Sequence, residues 1–102
     1  MAILELSVNP IGTETPSVAK YVARAIEVIQ KEKGIKHTTT PMGTILEGEL
    51  NQLLDLIPKM HEAVFKAGVN RIVTVIKIDD RRDAPTTMDG KMASLRRELG
   101  KK

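Results

Sequence analysis

Two short segments place carboxylates and hydroxyls inside what reads as sheet: Glu5-Leu6-Ser7-Val8-Asn9-Pro10 and Met42-Gly43-Thr44-Ile45-Leu46-Glu47-Gly48. A carboxylate withdrawn from water is costly unless a donor or a cation answers it. The answering group can be a lysine of the same sheet, a second subunit or a small polar ligand. Glu5 and Glu47 on neighbouring strands would raise one another's proton affinity, and Lys77 is placed to neutralise Glu5. Three readings follow: a carboxylate pair that fixes a subunit interface, a carboxylate that accepts a donor from a ligand, or a general base. The third is the weakest, because the spacing organises no nucleophile beside either carboxylate. The sequence therefore points to binding and not to an enzyme.

The other reactive side chains are sparse. His37 and His61 do not match a metal-ligand spacing, so no metal is expected. His61, beside Met60, reads as a packing residue, and His37 as an edge-strand residue able to line a pocket. The run Thr38-Thr39-Thr40 favours a strand and also offers hydroxyls to a pocket rim. Gly12 and Gly43 punctuate turns but belong to no phosphate-cradling motif, so no nucleotide cofactor is expected. Asp79-Asp80-Arg81-Arg82-Asp83 reads as a self-paired ionic cluster, its arginines arguing against a cation site.

Composition narrows the classes. The 102 residues make one small domain, 41% hydrophobic and 28% charged, as in ordinary globular chains. Cysteine is absent, and Tyr21 and Phe65 are the only aromatics. That excludes thiolate chemistry and argues against a stacking platform for nucleic acid. The net charge of +3 gathers at Arg96, Arg97, Lys101 and Lys102, where cations suit the end of a last helix. No apolar run has membrane-spanning length. Residues 1–5 read as an immediate strand and not as a leader, so a cytoplasmic protein is expected.

The elements that must position these groups alternate regularly. Residues 2–8 form a strand broken by Asn9-Pro10. Ser17 caps a first helix whose stripe is Val18, Val22, Ala25, Ile26 and Ile29, ended at Gly34 with Lys31 and Lys33 in its last turn. Residues 35–40 and 44–48 are strands joined through Pro41-Met42-Gly43. A second helix runs from Leu50 to Gly68, with Pro58 expected to bend it or split its first turns. Residues 71–79 are the fourth strand, and a last helix spans about 88–99. The order is βαββαβ plus a C-terminal helix: an α+β, ferredoxin-like split βαβ sandwich over residues 1–102, with its core in residues 2–79. Right-handed crossovers put both long helices on one sheet face. The other face then carries Ile3, Ile45, Val73 and Val75 among polar groups, too apolar to stay bare. A second copy stacked on that face is the simplest cover.

Several motifs carry a family resemblance. They are Ser7-Val8-Asn9-Pro10-Ile11-Gly12, Thr15-Pro16-Ser17-Val18 with Tyr21-Val22, and Pro41-Met42-Gly43-Thr44-Ile45-Leu46-Glu47-Gly48-Glu49. Gly68-Val69-Asn70-Arg71-Ile72-Val73 and Lys77-Ile78-Asp79-Asp80-Arg81-Arg82-Asp83 complete the set. Together, over roughly residues 2–99, the chain resembles the small thiamine-binding protein family, formerly a group of uncharacterised hypothetical proteins. The resemblance implies a ferredoxin-like domain that forms a homodimer by sheet stacking and often a homotetramer. It also implies a non-catalytic ligand site for thiamine or its hydroxymethylpyrimidine part, which needs no cofactor or metal. On that reading the ligand-binding residues are Ser7, Asn9, His37, Met42, Thr44 and Glu47, with Glu47 accepting from the exocyclic amine and Thr44 or Ser7 serving the ring nitrogens. A structural or regulatory oligomer without such a ligand is the alternative.

Overall fold

The computed structural model describes residues 1–101. Seven elements follow in order: β1 (Ala2–Ile11), α1 (Ala19–Gln30), β2 (Lys36–Thr40), β3 (Gly43–Gly48), α2 (Leu50–Lys66), β4 (Arg71–Asp79) and α3 (Met88–Leu99). The strands form one antiparallel sheet in the order β2-β3-β1-β4, the ferredoxin-like arrangement with β1 and β3 central.

Strand alternation divides the sheet sharply. Ala2, Leu4 and Leu6 of β1 and Leu46 of β3 are buried. They meet Ala25 and Ile29 of α1 and Leu53, Leu56, Met60 and Val64 of α2 in one core. The intervening residues Ile3, Glu5, Ser7 and Asn9 face the other side. There Glu5 stands opposite Lys77 and Ile3 opposite Glu47 in register.

Three local expectations are corrected, and of the two outcomes expected of Pro58 the split does not occur. β1 is not broken at Asn9-Pro10 but continues to Ile11. Beyond Leu6 it pairs only with β4, so Pro10 sits where one edge is free and its missing N–H leaves no gap in a central ladder. α1 is preceded by Val18, not Ser17, and no side chain caps it. It ends at Gln30 without a lysine in its last turn, and Gly34 at φ 83° instead serves the turn into β2. α2 is not split: Pro58 lies inside one 17-residue helix. Its ring points to solvent, where water can satisfy the carbonyl of Leu54 that the proline leaves without a donor.

α3 is rooted at the open face and then leaves it. Thr87 accepts from Gly90 N–H as the helix cap, and the Met88 N–H donates to Glu47 Oε1 at 2.6 Å. Lys36 pairs with Asp89, and Lys91 with Asp79 at 2.5 Å. The carboxylate of Glu47, only 8% exposed, thus finds its donor in the first turn of α3, where the helix dipole also favours an anion. No residue of α3 is buried. The radius of gyration, 15.4 Å, exceeds the about 13 Å typical of a chain this long, in keeping with a helix standing off the body.

Glu47→Ala should therefore release α3 while leaving the core intact. Loss of a charged acceptor is worth roughly 1.5–3 kcal/mol. Hydrogen exchange should accelerate about tenfold or more at the amides of residues 88–93, and not in β1. A second expectation concerns acid. Lys36 holds the Asp89 carboxyl below its ordinary range, mainly through their hydrogen bond. The folded state therefore gains from this contact above the ordinary aspartate range, about pH 4. The gain is lost as pH falls through the lower folded value. α3 protection in the parent should exceed that in Asp89→Asn at pH 6, and the difference should shrink as pH falls below the ordinary aspartate range.

Candidate functional site

The β2–β3 hairpin builds one end of the site. Pro41 fixes its own φ near −65°, and among the described residues only glycines have positive φ. That rules out the mirror-image turns usual in two-residue hairpins. Thr40 compensates: its hydroxyl donates to the Gly43 carbonyl at 2.8 Å and accepts from the N–H groups of Gly43 and Met42 at 3.1 and 3.3 Å. Gly43 is required for a different reason. A Cβ there would lie 2.9 Å from the Leu6 carbonyl oxygen, so only glycine lets β3 approach β1 this closely.

Behind the hairpin, between α1 and the helix-facing side of the sheet, lies a cavity of about 130 Å³. Leu6, Val8 and Met60 form its floor, and Val22, Ala25 and Ile26 of α1 its roof. Thr39 and Thr44, directly opposite in register, supply two side-by-side hydroxyls. Neither is held by a protein group among the described residues, unlike Thr40. Thr44 is 5% exposed. No charged side chain lines this cavity. It is an aliphatic slot with two neutral hydrogen-bonding groups, the usual recipe for orienting a small ring. An engineered cavity of about 150 Å³ accepts benzene, so this space suits one six-membered ring and not two.

The six residues singled out in the sequence do not form one cluster. Ser7, Asn9, Met42 and Thr44 all border the cavity. Thr44 points into it, whereas Ser7 and Asn9 alternate onto the opposite sheet face and contribute backbone. The Asn9 amide donates to Ser7 Oγ at 2.9 Å and to the Val73 carbonyl at 3.1 Å, pinning β1 to β4 beside the cavity. Met42, 87% exposed, stands at the rim. His37 is half-buried on the edge strand β2, away from the cavity. Glu47 lies on the other face, engaged by Met88. The sequence reading overlooked the α1 wall, Val22, Ala25 and Ile26. Its helical stripe marked these residues as core, and nothing in the spacing separates a core position from a cavity wall.

Two other regions offer less. The largest concavity, about 740 Å³, lies between the start of α2 and the segment joining β4 to α3. Four of its charged side chains are paired with one another, Arg81 with Asp83 at 2.6 Å and Arg82 with Asp80 at 3.0 Å, while Glu49 at its edge has no ion pair among the described residues. These pairs hold the Asp83 carboxyl below its ordinary range and the two guanidinium groups above theirs. His61, in α2, bonds Thr74 Oγ1 at 2.7 Å and meets Phe65 edge-on. No group of three or more His, Asp or Glu side chains is arranged to hold a metal among the described residues.

Gly43→Ala should widen the β1–β3 spacing at the cavity mouth. Overpacking of this kind costs about 1–3 kcal/mol, to be read as a lower urea midpoint with an unchanged slope.

Comparison with known proteins agrees with this architecture. A family model described as "Thiamine-binding protein" matches residues 4–96. The chain is 48% identical over 102 residues to UPF0045 protein YqgV of Bacillus subtilis, covering 97% of this chain and 98% of that one. Among solved structures, it is similar to a hypothetical protein from Methanocaldococcus jannaschii, with TM-score 0.84 and 38% identity over 92% of this chain and 94% of the other. It is also similar to a domain of unknown function from Bacillus cereus, with TM-score 0.80 and 36% identity over 95% and 91%. The family match spans nearly the whole chain, and this chain belongs to the thiamine-binding protein family.

Proposed function

We propose that this protein is a non-catalytic, cytoplasmic binding protein for a thiamine-related pyrimidine, and that the α1–sheet cavity holds the pyrimidine ring. The observation that carries the reading is the Thr39–Thr44 hydroxyl pair, Thr44 buried and Thr39 exposed, lining an uncharged and largely aliphatic slot of about 130 Å³. A hydroxymethylpyrimidine presents ring nitrogens that accept and an exocyclic amine that donates; a threonine hydroxyl does either. Val22, Ile26 and Val8 would sandwich the ring in place of an aromatic stack. The second, cationic ring of thiamine has no partner inside this slot and would project past Met42 to solvent. Membership of the thiamine-binding protein family supports the ligand class.

The same reading includes a homo-oligomer, a dimer stacked through the open sheet face. Val73 and Val75 are 42% and 59% exposed there, beside the partly exposed Ile3 and Ile45. α3 carries Met92, Leu95 and Leu99 outward at helical spacing, all largely exposed. A second copy on that face would cover both the sheet and the stripe, whereas a monomer covers neither.

Calorimetric titration with hydroxymethylpyrimidine and with thiamine tests the ligand. Both should bind, and Thr44→Val should weaken both about tenfold, the loss of one net hydrogen bond. Its melting temperature should stay near the parent's. Unchanged affinity in that variant, or heat from neither compound, would remove the pyrimidine from this cavity. Ile45→Lys, at the centre of the open face, should halve the mass seen by light scattering if copies stack there; an unchanged mass would reject stacking.

A further inference from the structure

The first turn of α3 contains a reactive pair. Asp89 is the only aspartate or asparagine of the chain that a glycine follows. In such a pair the glycine nitrogen can attack the aspartate side-chain carboxyl and close a five-membered imide, because no Cβ shields that nitrogen. The local packing shows why glycine stands there nonetheless. A Cβ at residue 90 would lie 2.9 Å from Thr87 Oγ1, the atom that accepts from the Gly90 N–H at 2.9 Å. The cap that starts α3 closes properly only on glycine, and glycine leaves the preceding bond open to attack.

Three restraints keep the pair inert while the turn is formed. The Gly90 N–H, which must lose its proton to react, is engaged by Thr87. The Asp89 carboxyl is paired with Lys36 of β2. That contact holds it below its ordinary range, mainly through the hydrogen bond, and an ionised carboxylate is a poor electrophile. The helical backbone also keeps the nitrogen off the line of approach to Cγ that reaction needs. None of these restraints is deeply seated. The Asp89 side chain is 80% exposed, and no residue of α3 is buried. A helix end with so few buried contacts opens at little cost in free energy.

We infer that the Asp89–Gly90 bond is a site of self-modification, through which opening of the α3 root becomes permanent. The Gly90 nitrogen bonds to Asp89 Cγ and gives up its proton, while a carboxyl oxygen leaves as water. Water then opens the imide. Attack at Cγ restores the aspartate. Attack at the backbone carbonyl leaves the chain running through Cβ and Cγ, an isoaspartyl linkage. One water leaves and one returns, so the mass is unchanged and no oxidant or reductant takes part. The isoaspartyl form has one more main-chain carbon between residues 89 and 90. The Thr87 hydroxyl then no longer meets the Gly90 N–H, nor the Thr87 carbonyl the Lys91 N–H from which it accepts at 3.0 Å. Cap and first helical bond are lost together, and the adjoining Met88–Glu47 contact loses the turn that presents it. Opening is fast against a reaction of days, so the rate follows the open population. The inference rests on neither the ligand nor an assembly of copies.

Water labelled with heavy oxygen reads the cycle, because each passage through the imide leaves one labelled oxygen at residue 89. The intact chain is incubated near neutral pH, and residues 83–91 are mapped by mass spectrometry. Label should enter slowly in the parent and fastest in the chain unfolded by guanidinium. Thr87→Val should accelerate entry about fivefold, the effect of losing one cap, and hydrogen exchange at residues 88–93 should rise by the same factor. Lys36→Met should accelerate entry as well, and it alone decides if Thr87→Val misfolds. Asp89→Glu keeps a carboxylate for Lys36 but cannot close the five-membered ring, so it should take up no label. The isoaspartyl fraction, separated by chromatography, should exchange at residues 88–93 faster than the unmodified chain. Entry no faster in Thr87→Val and Lys36→Met than in the parent would overturn the inference, as would entry into Asp89→Glu at the parent's rate. So would an unfolded chain that takes up no label, or an isoaspartyl fraction whose α3 is as protected as the parent's.

Discussion

Two helices can cover one face of a four-stranded sheet, and this chain has two helices in its core. That shortage shapes the rest of the molecule. Leu4, Leu6 and Leu46 look inward at α1 and α2 and are fully or nearly fully buried. The residues between them look outward at a surface that keeps Ile3, Ile45, Val73 and Val75. A sheet exposed on one side normally turns polar there. This one does so only in part, and a third helix is tethered across its rim without being buried.

The tether explains the central carboxylate. Glu47 is the acid that the sequence marked as needing an answer, and within the chain the answer is a backbone N–H. Met88 donates to it, while Lys36 and Lys91 hold Asp89 and Asp79 around the same root. One buried acid thereby fixes where α3 begins and the direction in which its apolar stripe departs. Carboxylate, strand and helix form one unit, so a change at Glu47 is felt first in α3 rather than in the core.

Much of the fold was legible because periodicity carries it. The strand–helix order, the β4 limits and the span of α3 all follow from alternation and from three-to-four-residue stripes. What the sequence concealed was set by tertiary context. Pro10 reads as a strand breaker, yet β1 lacks its second neighbour at that point and tolerates it. Pro58 reads as a helix breaker, yet it faces water. The site was half legible: Ser7, Asn9, Met42 and Thr44 converge on one cavity, because the hairpin and β1 are held together at Gly43. Glu47 lies apart from them because it is three residues from Thr44, and an odd step along a strand crosses the sheet. The donor that engages it comes from residue 88, which no local pattern could supply.

That odd-and-even rule has a further consequence. Thr44 and Leu6, which line the cavity, and Ile45 and Glu5, which face outward, belong to the same two paired strands. Ligand and partner chain would therefore share a backbone but no side chain. Even-numbered positions of β1 and β3 bear on the cavity and the core, and odd-numbered positions on the open face and the root of α3. A chain of this size has too little surface to set a ligand site and a subunit contact on separate elements. Alternation of side chains across one sheet separates them instead, so either surface can change without rebuilding the other. The exception is Gly43, where β1 and β3 touch at backbone level. There the hairpin, the cavity mouth and the strand spacing cannot be varied independently.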